Sequence, residues 1–538
     1  MYQDDLDTNT LKSDFKNKYH RPIENPFYFK DVSNTTILFG GLTHKHEVLL
    51  QASFENLGYK CLALPNPDFK ALQMGKEFCD PGMCNPAYFT FGALLKQLRK
   101  LESEGLTKEQ IIEKYVFITA GSCGPCRFGM YESQFRLGLE NSGFKGFRII
   151  VFQQNKGLDQ DSGLYAPKFD NDFFLRVLGS FLIGDLMNDI GYQYRPFEIE
   201  KGSVDKVLYK TLDYACDKLK KMKYPKVVSI IDNASKKLTF LKKISLIAKI
   251  IYFNFCKEYK DILSYLINDL KEIRFNFNQV KPVVKITGEF WAQTTEGDGN
   301  LNIHKYLEDN GAQVIPEMLS NWILYLLHQI KLVAKTDIEA KKHNANFKLK
   351  NIFQILPHYE TYFICSIAEK LLNISYNKYR KILLNIPYPL ISQNELRILS
   401  KNYYNPLIEG GEGHLEIGKT LYYSRSKQSH VVLSVKPFGC MPSLMSDGIM
   451  SSVVTHNPDI LFSTLETGGE GIINVYSRTL LIMDEAKEIS KNEYALCKEK
   501  TNKNNGVNNH SFLAFSKNGY SGNNISVASK FLNIGEEK

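Results

Sequence analysis

No stretch of this 538-residue chain approaches the ~18–20 uncharged apolar residues of a membrane-spanning helix; the nearest, residues 244–255, is short and broken by Lys249. The first 18 residues are polar and mixed in charge, so they lack the apolar core of a secretory signal. A strong charge of one sign is missing too. Lys and Arg number 67 against 58 Asp and Glu, and the resulting +9 is no nucleic-acid footprint over this length. No internal repeat of fixed period is visible. These absences lead us to expect a cytoplasmic protein with neither a membrane nor a nucleic-acid partner. The 43% hydrophobic content supplies ample core, which excludes a disordered scaffold or a disulfide-stapled mini-protein.

What the chain does have is cysteine, ten in all. In a reducing compartment clustered cysteines point to metal, cluster or redox chemistry rather than to structural bridges. Cys61, Cys216, Cys256, Cys365 and Cys497 sit in apolar or lysine-rich helical patterns and read as core or surface thiols.

Periodicity divides the chain. Residues 1–35 read as an irregular lead-in. Strands at 36–40, 60–64, 115–120 and 147–152 alternate with helices at 46–57, 91–104 and 132–141, and Gly58 is placed to end the first helix in a left-handed conformation. That alternation predicts a parallel, doubly wound α/β unit over 36–165. Lysine-rich helical periodicity over 166–280 predicts a helical subdomain. A second α/β unit with a helical insertion spans 281–490, with strands at 283–288, 312–315, 431–435 and 460–465. Residues 491–538 read as a loosely ordered tail rich in Asn, Lys, Ser and Gly.

Four cysteines form two close pairs in the first unit: Cys79 and Cys84 in FCDPGMCNP, Cys123 and Cys126 in AGSCGPCRFG. Short loops of this kind supply two thiolates per turn to a soft metal, and their glycines free backbone N–H groups to face sulfur. Three readings compete. One is an iron–sulfur or other metal site. Another is a redox dithiol, since Cys123-Gly124-Pro125-Cys126 is the thioredoxin tetrapeptide, although Ser122 stands where tryptophan is usual and Cys79 and Cys84 would then have no role. The third is a set of unligated core thiols. A fifth cysteine, Cys440 in SVKPFGCMPS, again follows a strand and lies between Gly and Pro.

The motifs FGGLTHKHE, FCDPGMCNP, AGSCGPCRFGMYE, KPFGCMPS and ETGGEGIINVYSR together resemble the acyl-CoA dehydratase activase-related proteins, relatives of the 2-hydroxyacyl-CoA dehydratase and benzoyl-CoA reductase subunits. The likeness covers roughly residues 36–160, 280–320 and 405–490. It implies two flavodoxin-like parallel-sheet units, an oxygen-sensitive iron–sulfur cluster on Cys79, Cys84, Cys123, Cys126 and Cys440, and association in pairs. It further implies low-potential electron transfer or reduction, fed by an ATP-hydrolysing activator, with an acyl-CoA or another small molecule as substrate. Only about 35 residues precede the first strand, so the activator is expected on a separate chain. Five thiolates exceed the four of one [4Fe-4S] cubane, which leaves either a spare cysteine or a double-cubane cluster. The rival from another class is a non-catalytic interaction protein stapled by metal.

Other residues carry weaker signals. Glu466 and Glu470 flank glycines after the last strand, as proton donors beside a cluster or as an exposed turn. Arg127 is placed to pair with an anionic group. His44 and His46 have the spacing of a metal pair or of helix-flanking residues. Glu289, Thr294, Thr295 and Glu296 lie in a polar loop, either a cleft wall or a solvated turn. Residues 413–420, GHLEIGKT, fit the P-loop pattern, but no strand precedes them, so a helix over 415–422 is the expectation.

Overall fold

The computed structural model describes residues 24, 27–122, 124–153, 169–237, 241–343, 352–408, 410–468, 471–500 and 525–532. Cys123 and Glu470 lie outside the described residues, as does most of the expected lead-in and much of the expected tail.

Two separate four-stranded, all-parallel sheets form the frame. The first contains β1 (Thr36–Phe39), β2 (Lys60–Ala63), β3 (Tyr115–Gly121) and β4 (Arg148–Gln153), in the order β2-β1-β3-β4. The second contains β5 (Val283–Gly288), β6 (Gln313–Ile315), β7 (Val431–Pro437) and β8 (Phe462–Thr467), in the order β6-β5-β7-β8. Both follow the flavodoxin-like order 2-1-3-4, in which ligand crevices open at the carboxyl ends of the first and third strands. Register is set by apolar runs: Thr36 pairs with both Lys60 and Tyr115, and Val284 pairs with Val431. Every residue of β5 and β7 is buried, as expected of parallel strands covered on both faces.

Between the sheets lies the helical part, Asn171–Tyr194, Ser203–Lys220, Lys226–Lys237, Leu241–Phe255 and Lys257–Leu270. The Asn171–Tyr194 helix is its spine. Leu182, Ile183, Leu186, Met187 and Ile190 are fully buried in the largest core, which reaches Leu49 of the first unit and Val283, Ile315 and Val432 of the second. Its Asp185 accepts N–H bonds from Leu319 (2.8 Å) and Ser320 (2.8 Å), and so caps the Leu319–Lys342 helix of the second unit. The same carboxylate lies 3.2 Å from His46 Nε2 of the first unit. One buried side chain thus ties all three parts together.

Several boundaries differ from expectation for local reasons. The helix expected at 91–104 begins at Asn85, because Pro86 suits the first turn, where its missing N–H costs nothing. Ile460 closes a turn with Asn457 around Pro458, so β8 starts only at Phe462, although the Leu461 carbonyl already accepts from Val432 N of β7. The segment after β5 is not a plain polar loop: Glu289 caps a short helix, Phe290–Thr294, followed by a 3-10 turn at Gly297–Asn300. The helix after β8 runs Ile472–Lys500, past the expected start of the tail. There Glu493 accepts N–H bonds from Ile525 and Ser526, docking the helix Val527–Leu532. Gly58 adopts φ +91°, the left-handed end anticipated for the first helix. Among the described residues no helix is long and apolar enough to cross a membrane.

Candidate thiol cleft

Three cysteines occupy the same local position in three elements. Cys84 is the N-cap of the helix Asn85–Ser103, Cys126 caps the 3-10 turn Arg127–Met130 that leads into the helix Tyr131–Asn141, and Cys440 caps the helix Met441–Thr455. None makes a side-chain capping bond of ordinary geometry, although the N–H groups of Ala87, Phe128 and Ser443 in the turns that follow act on the three sulfurs. A helix N-terminus carries partial positive charge and favours a thiolate over a thiol. The turns need glycine: Gly124 and Gly439 hold φ of +83° and +74°, which side chains resist. Cys126 follows β3 and Cys440 follows β7, so both stand at the crevice ends of their sheets.

Contacts across the two units bring these turns together. Asn85 Nδ2 donates to the carbonyl of Thr467 at the end of β8. Arg127 donates to the carbonyl of Gly82 in the Cys79–Cys84 loop, and a Cβ on Gly439 would lie 3.5 Å from its Nη1. The guanidinium therefore sits among all three cysteine loops. Phe89 and Trp291, one from each unit, pack with centroids 5.4 Å apart.

A carboxylate pair completes the cleft. Glu289 Oε2 accepts from Ala292 N (2.9 Å) and Glu412 Oε1 from Phe290 N (2.6 Å), so both cap the same short helix. Burial pushes both carboxyls up, and at Glu412 repulsion from Glu289 adds to it. The pair therefore retains a proton near neutrality. Glu289 acts on every described thiol of the cleft. Burial raises Cys84 to about 11, with Glu289 adding to it while Tyr131 and Arg127 pull down. Burial raises Cys126 and Cys440 further; Glu412 is the next cause at Cys126, ahead of the Phe128 N–H that lowers it and Glu289 that raises it, and Glu289 and then Glu412 are the next causes at Cys440. Cys84 Sγ lies 2.9 Å from Tyr131 Oη.

Cys79 is placed differently. It follows the helix Phe69–Phe78 as its C-cap, at the negative end of a helix dipole, and its sulfur lies 3.8 Å from the Gln134 carbonyl. Burial raises it to about 12. Tyr88 pins the loop between the two cysteines, accepting from Met83 N (3.0 Å) and donating to Asp80 O (2.9 Å). Cys123 and Glu470 lie outside the described residues, and Glu466 is exposed on β8.

The remaining sequence candidates have structural partners. His46 is buried between Thr43 Oγ1 (2.6 Å) and Asp185, while His44 is exposed beside Tyr209, so the two histidines do not converge. In FGGLTHKHE, Glu47 accepts from Gly41 N (2.7 Å) and Leu42 N (2.9 Å), and burial raises its carboxyl to about 8. The P-loop-like residues all lie in the helix Gly413–Arg425, with Lys419 buried 3.0 Å from Glu317. Glu416 of that helix accepts from Ser434, Ser446 and Lys436, anchoring the β7 turn that presents Cys440. Glu412 carried no motif. Its only signal was a position beside Gly410 and Gly411, just ahead of a helix.

In donor type the site suits a soft metal centre: three thiols at helix N-termini, an arginine between their loops, and a proton-retaining carboxylate pair. Among the described residues no group of three or more His, Cys, Asp or Glu stands close enough to hold a metal ion. No family model and no curated protein matches the chain.

Proposed function

We propose that this chain is an iron–sulfur redox protein for low-potential electron transfer or reduction. Its cluster would be held by Cys84, Cys126 and Cys440, joined by Cys123 and Cys79 in the larger ligand set, and it would be fed by an ATP-hydrolysing activator on another chain. The observation that carries the reading is that the cysteine loops of the two α/β units meet: Arg127, next to Cys126, bonds the Gly82 carbonyl in the Cys79–Cys84 loop and lies against Gly439 beside Cys440, and Asn85 bonds the Thr467 carbonyl. A bound cluster supplies a store of single electrons.

The chain's own residues supply the rest. Helix N-termini and Arg127 offset thiolate charge, so thiols that burial keeps protonated would give up their protons on ligation. The Glu289–Glu412 pair holds a proton beside the sulfurs, where a reduction needs one. Trp291 and Phe89 pack the seam between the units and limit water there.

The test is anaerobic purification and reconstitution, followed by iron and acid-labile sulfide analysis and a visible spectrum before and after reductant. About four or eight irons per chain and a band that bleaches on reduction are expected. Serine at Cys84, Cys126 or Cys440 lowers the iron content, and serine at Cys79 lowers it least. A colourless, iron-free protein after reconstitution refutes the reading.

A further inference from the structure

The helices Lys226–Lys237 and Leu241–Phe255, which pack against each other, are built inside out. An ordinary surface helix buries its apolar stripe and exposes its polar one. In the second of these helices Ser245, Lys249 and Asn254 are buried instead. Lys249 is 6% exposed and lies 2.9 Å from Asp172 and 2.7 Å from Asp232 of the first helix. Ser245 donates to the same Asp232 (2.7 Å), and Asn254 accepts from Ser375 of the helix Ile352–Ile382 (2.6 Å). These bonds fix the rotation of the helix, and what it turns outward is apolar. Ile244, Ile247, Ile251 and Phe255 recur at helical spacing over about 16 Å, each between 46% and 60% exposed. Val227 and Ile230 of the first helix are each 67% exposed. Apolar side chains grouped in this way on a surface mark a place of interaction.

Charge decides what they meet. The Nζ atoms of Lys260 and Lys378 lie over the Phe255 ring, 5.6 and 3.1 Å from its centroid. Lys223 and Lys226 stand exposed where the first helix begins. Among the described residues no carboxylate is within ion-pair distance of these four lysines. The nearest carboxylates in the chain after the second helix are engaged: Glu258 accepts from Tyr252 (3.0 Å) and Cys256 (3.1 Å), and Asp261 lies 3.7 Å from Lys218. A second copy meeting this face across a two-fold axis would bring the same lysines together. A bilayer with anionic headgroups accepts an apolar helix face and the lysines around it at once.

We infer that this face docks on an anionic lipid surface, with the isoleucines and Phe255 at the boundary of headgroups and acyl chains and the lysines against the headgroup phosphates. The expectation of no membrane partner came from the lack of a spanning segment, and a helix lying in the interface needs none. Docking does not depend on a cluster being present, so its failure and that of the redox reading are separable.

Co-sedimentation of the full chain with lipid vesicles tests it, using phosphatidylcholine alone and phosphatidylcholine with about a third phosphatidylserine. Saturable binding is expected to the anionic vesicles, about tenfold or more tighter than to the neutral ones and weakened by salt. Lys260→Gln should weaken binding to the anionic vesicles about fivefold and leave the neutral ones unchanged. The double variant Ile247→Ser, Ile251→Ser should weaken binding to both by about thirtyfold. Circular dichroism checks that each variant is folded, and should the double variant fail, Lys260→Gln and the lipid comparison decide. No binding to either vesicle, or binding that a folded double variant retains in full, overturns the proposal. So does self-association in the ultracentrifuge that the double variant abolishes, since the face is then covered by a second copy.

Discussion

Replacing Glu317 by glutamine is expected to destabilise the fold and loosen the thiol cleft together. Its carboxylate lies between two buried lysines, 2.9 Å from Lys285 Nζ on β5 and 3.0 Å from Lys419 Nζ on the helix Gly413–Arg425. Lys285 stands four residues before Glu289 and Lys419 seven after Glu412, so this one side chain clamps the two segments that present the carboxylate pair. Burial pushes the Glu317 carboxyl up, but Lys285 and Lys419 outweigh it and hold the group down from 4.5 to about 2. At about 1.4 kcal/mol for each tenfold, that displacement corresponds to about 3 kcal/mol. Lys285 is itself pulled down by burial, so the whole triad contributes less than the carboxyl's share. Leaving two buried ammonium groups without their anion costs about 3–5 kcal/mol by comparison with other buried pairs. Because the folded pKa is depressed, the stabilisation is present above the unfolded value and is lost as pH falls through the folded one. Urea denaturation of wild type and Glu317→Gln should therefore differ by about 3 kcal/mol at pH 7, with the gap closing between about pH 4.5 and pH 2. A difference under about 1 kcal/mol at pH 7, or one independent of pH, would falsify the clamp.

Three other perturbations follow from the cleft. In metal-free protein, Cys84, raised to about 11, should be alkylated slowly by iodoacetamide, at a rate still climbing about tenfold per pH unit between pH 8 and 10; peptide mapping that finds a plateau by pH 9 contradicts this. Tyr131→Phe deletes the 2.9 Å contact to Cys84 Sγ and should cost about 1 kcal/mol, raising that thiol further. An unchanged alkylation profile in this variant would show the contact to be inert. Glu289 and Glu412 bind protons more tightly folded than unfolded, so they make stability fall as pH rises above about 4.5, and Glu289→Gln should flatten that limb. The check is the denaturation midpoint from pH 5 to 9, where parallel profiles for the two proteins exclude the coupled pair.

The parts of this architecture that were legible in the sequence are those decided locally. Apolar runs such as TILF and VVLSV stand out because strands covered on both faces admit few polar residues. Gly58 was readable because only glycine takes φ +91° cheaply. The glycine-rich loops around Cys84, Cys126 and Cys440 were readable for the same reason, a left-handed glycine before each thiol, but the helix start directly after Cys84 was missed, the helix being expected only from residue 91 despite Pro86. Glu289 read as part of a polar loop, because nothing local reveals that Glu412 will meet it on the same helix N-terminus. The depth of a carboxylate is set by which distant element covers it.

The same reasoning explains why the cleft requires both units. A 2-1-3-4 sheet opens its crevice at the ends of its first and third strands, and here β3 delivers Cys126 while β5 and β7 deliver Glu289 and Cys440. The second unit holds Cys440 together with Glu289 and Glu412, whereas Cys84 and Cys126 of the first unit meet those carboxylates only across the seam. The spatial relation between the units is fixed by groups far from sulfur. Asp185 joins His46 to the Leu319–Lys342 helix, and Trp291 packs on Phe89 with its Nε1 3.7 Å from the Cβ position of Gly41. The electrostatics of the cleft are therefore a property of the docked pair: loosening the Asp185 or Trp291 contacts would separate Glu289 from the Cys84 and Cys126 thiols and remove the repulsion that it adds to their raised pKa values.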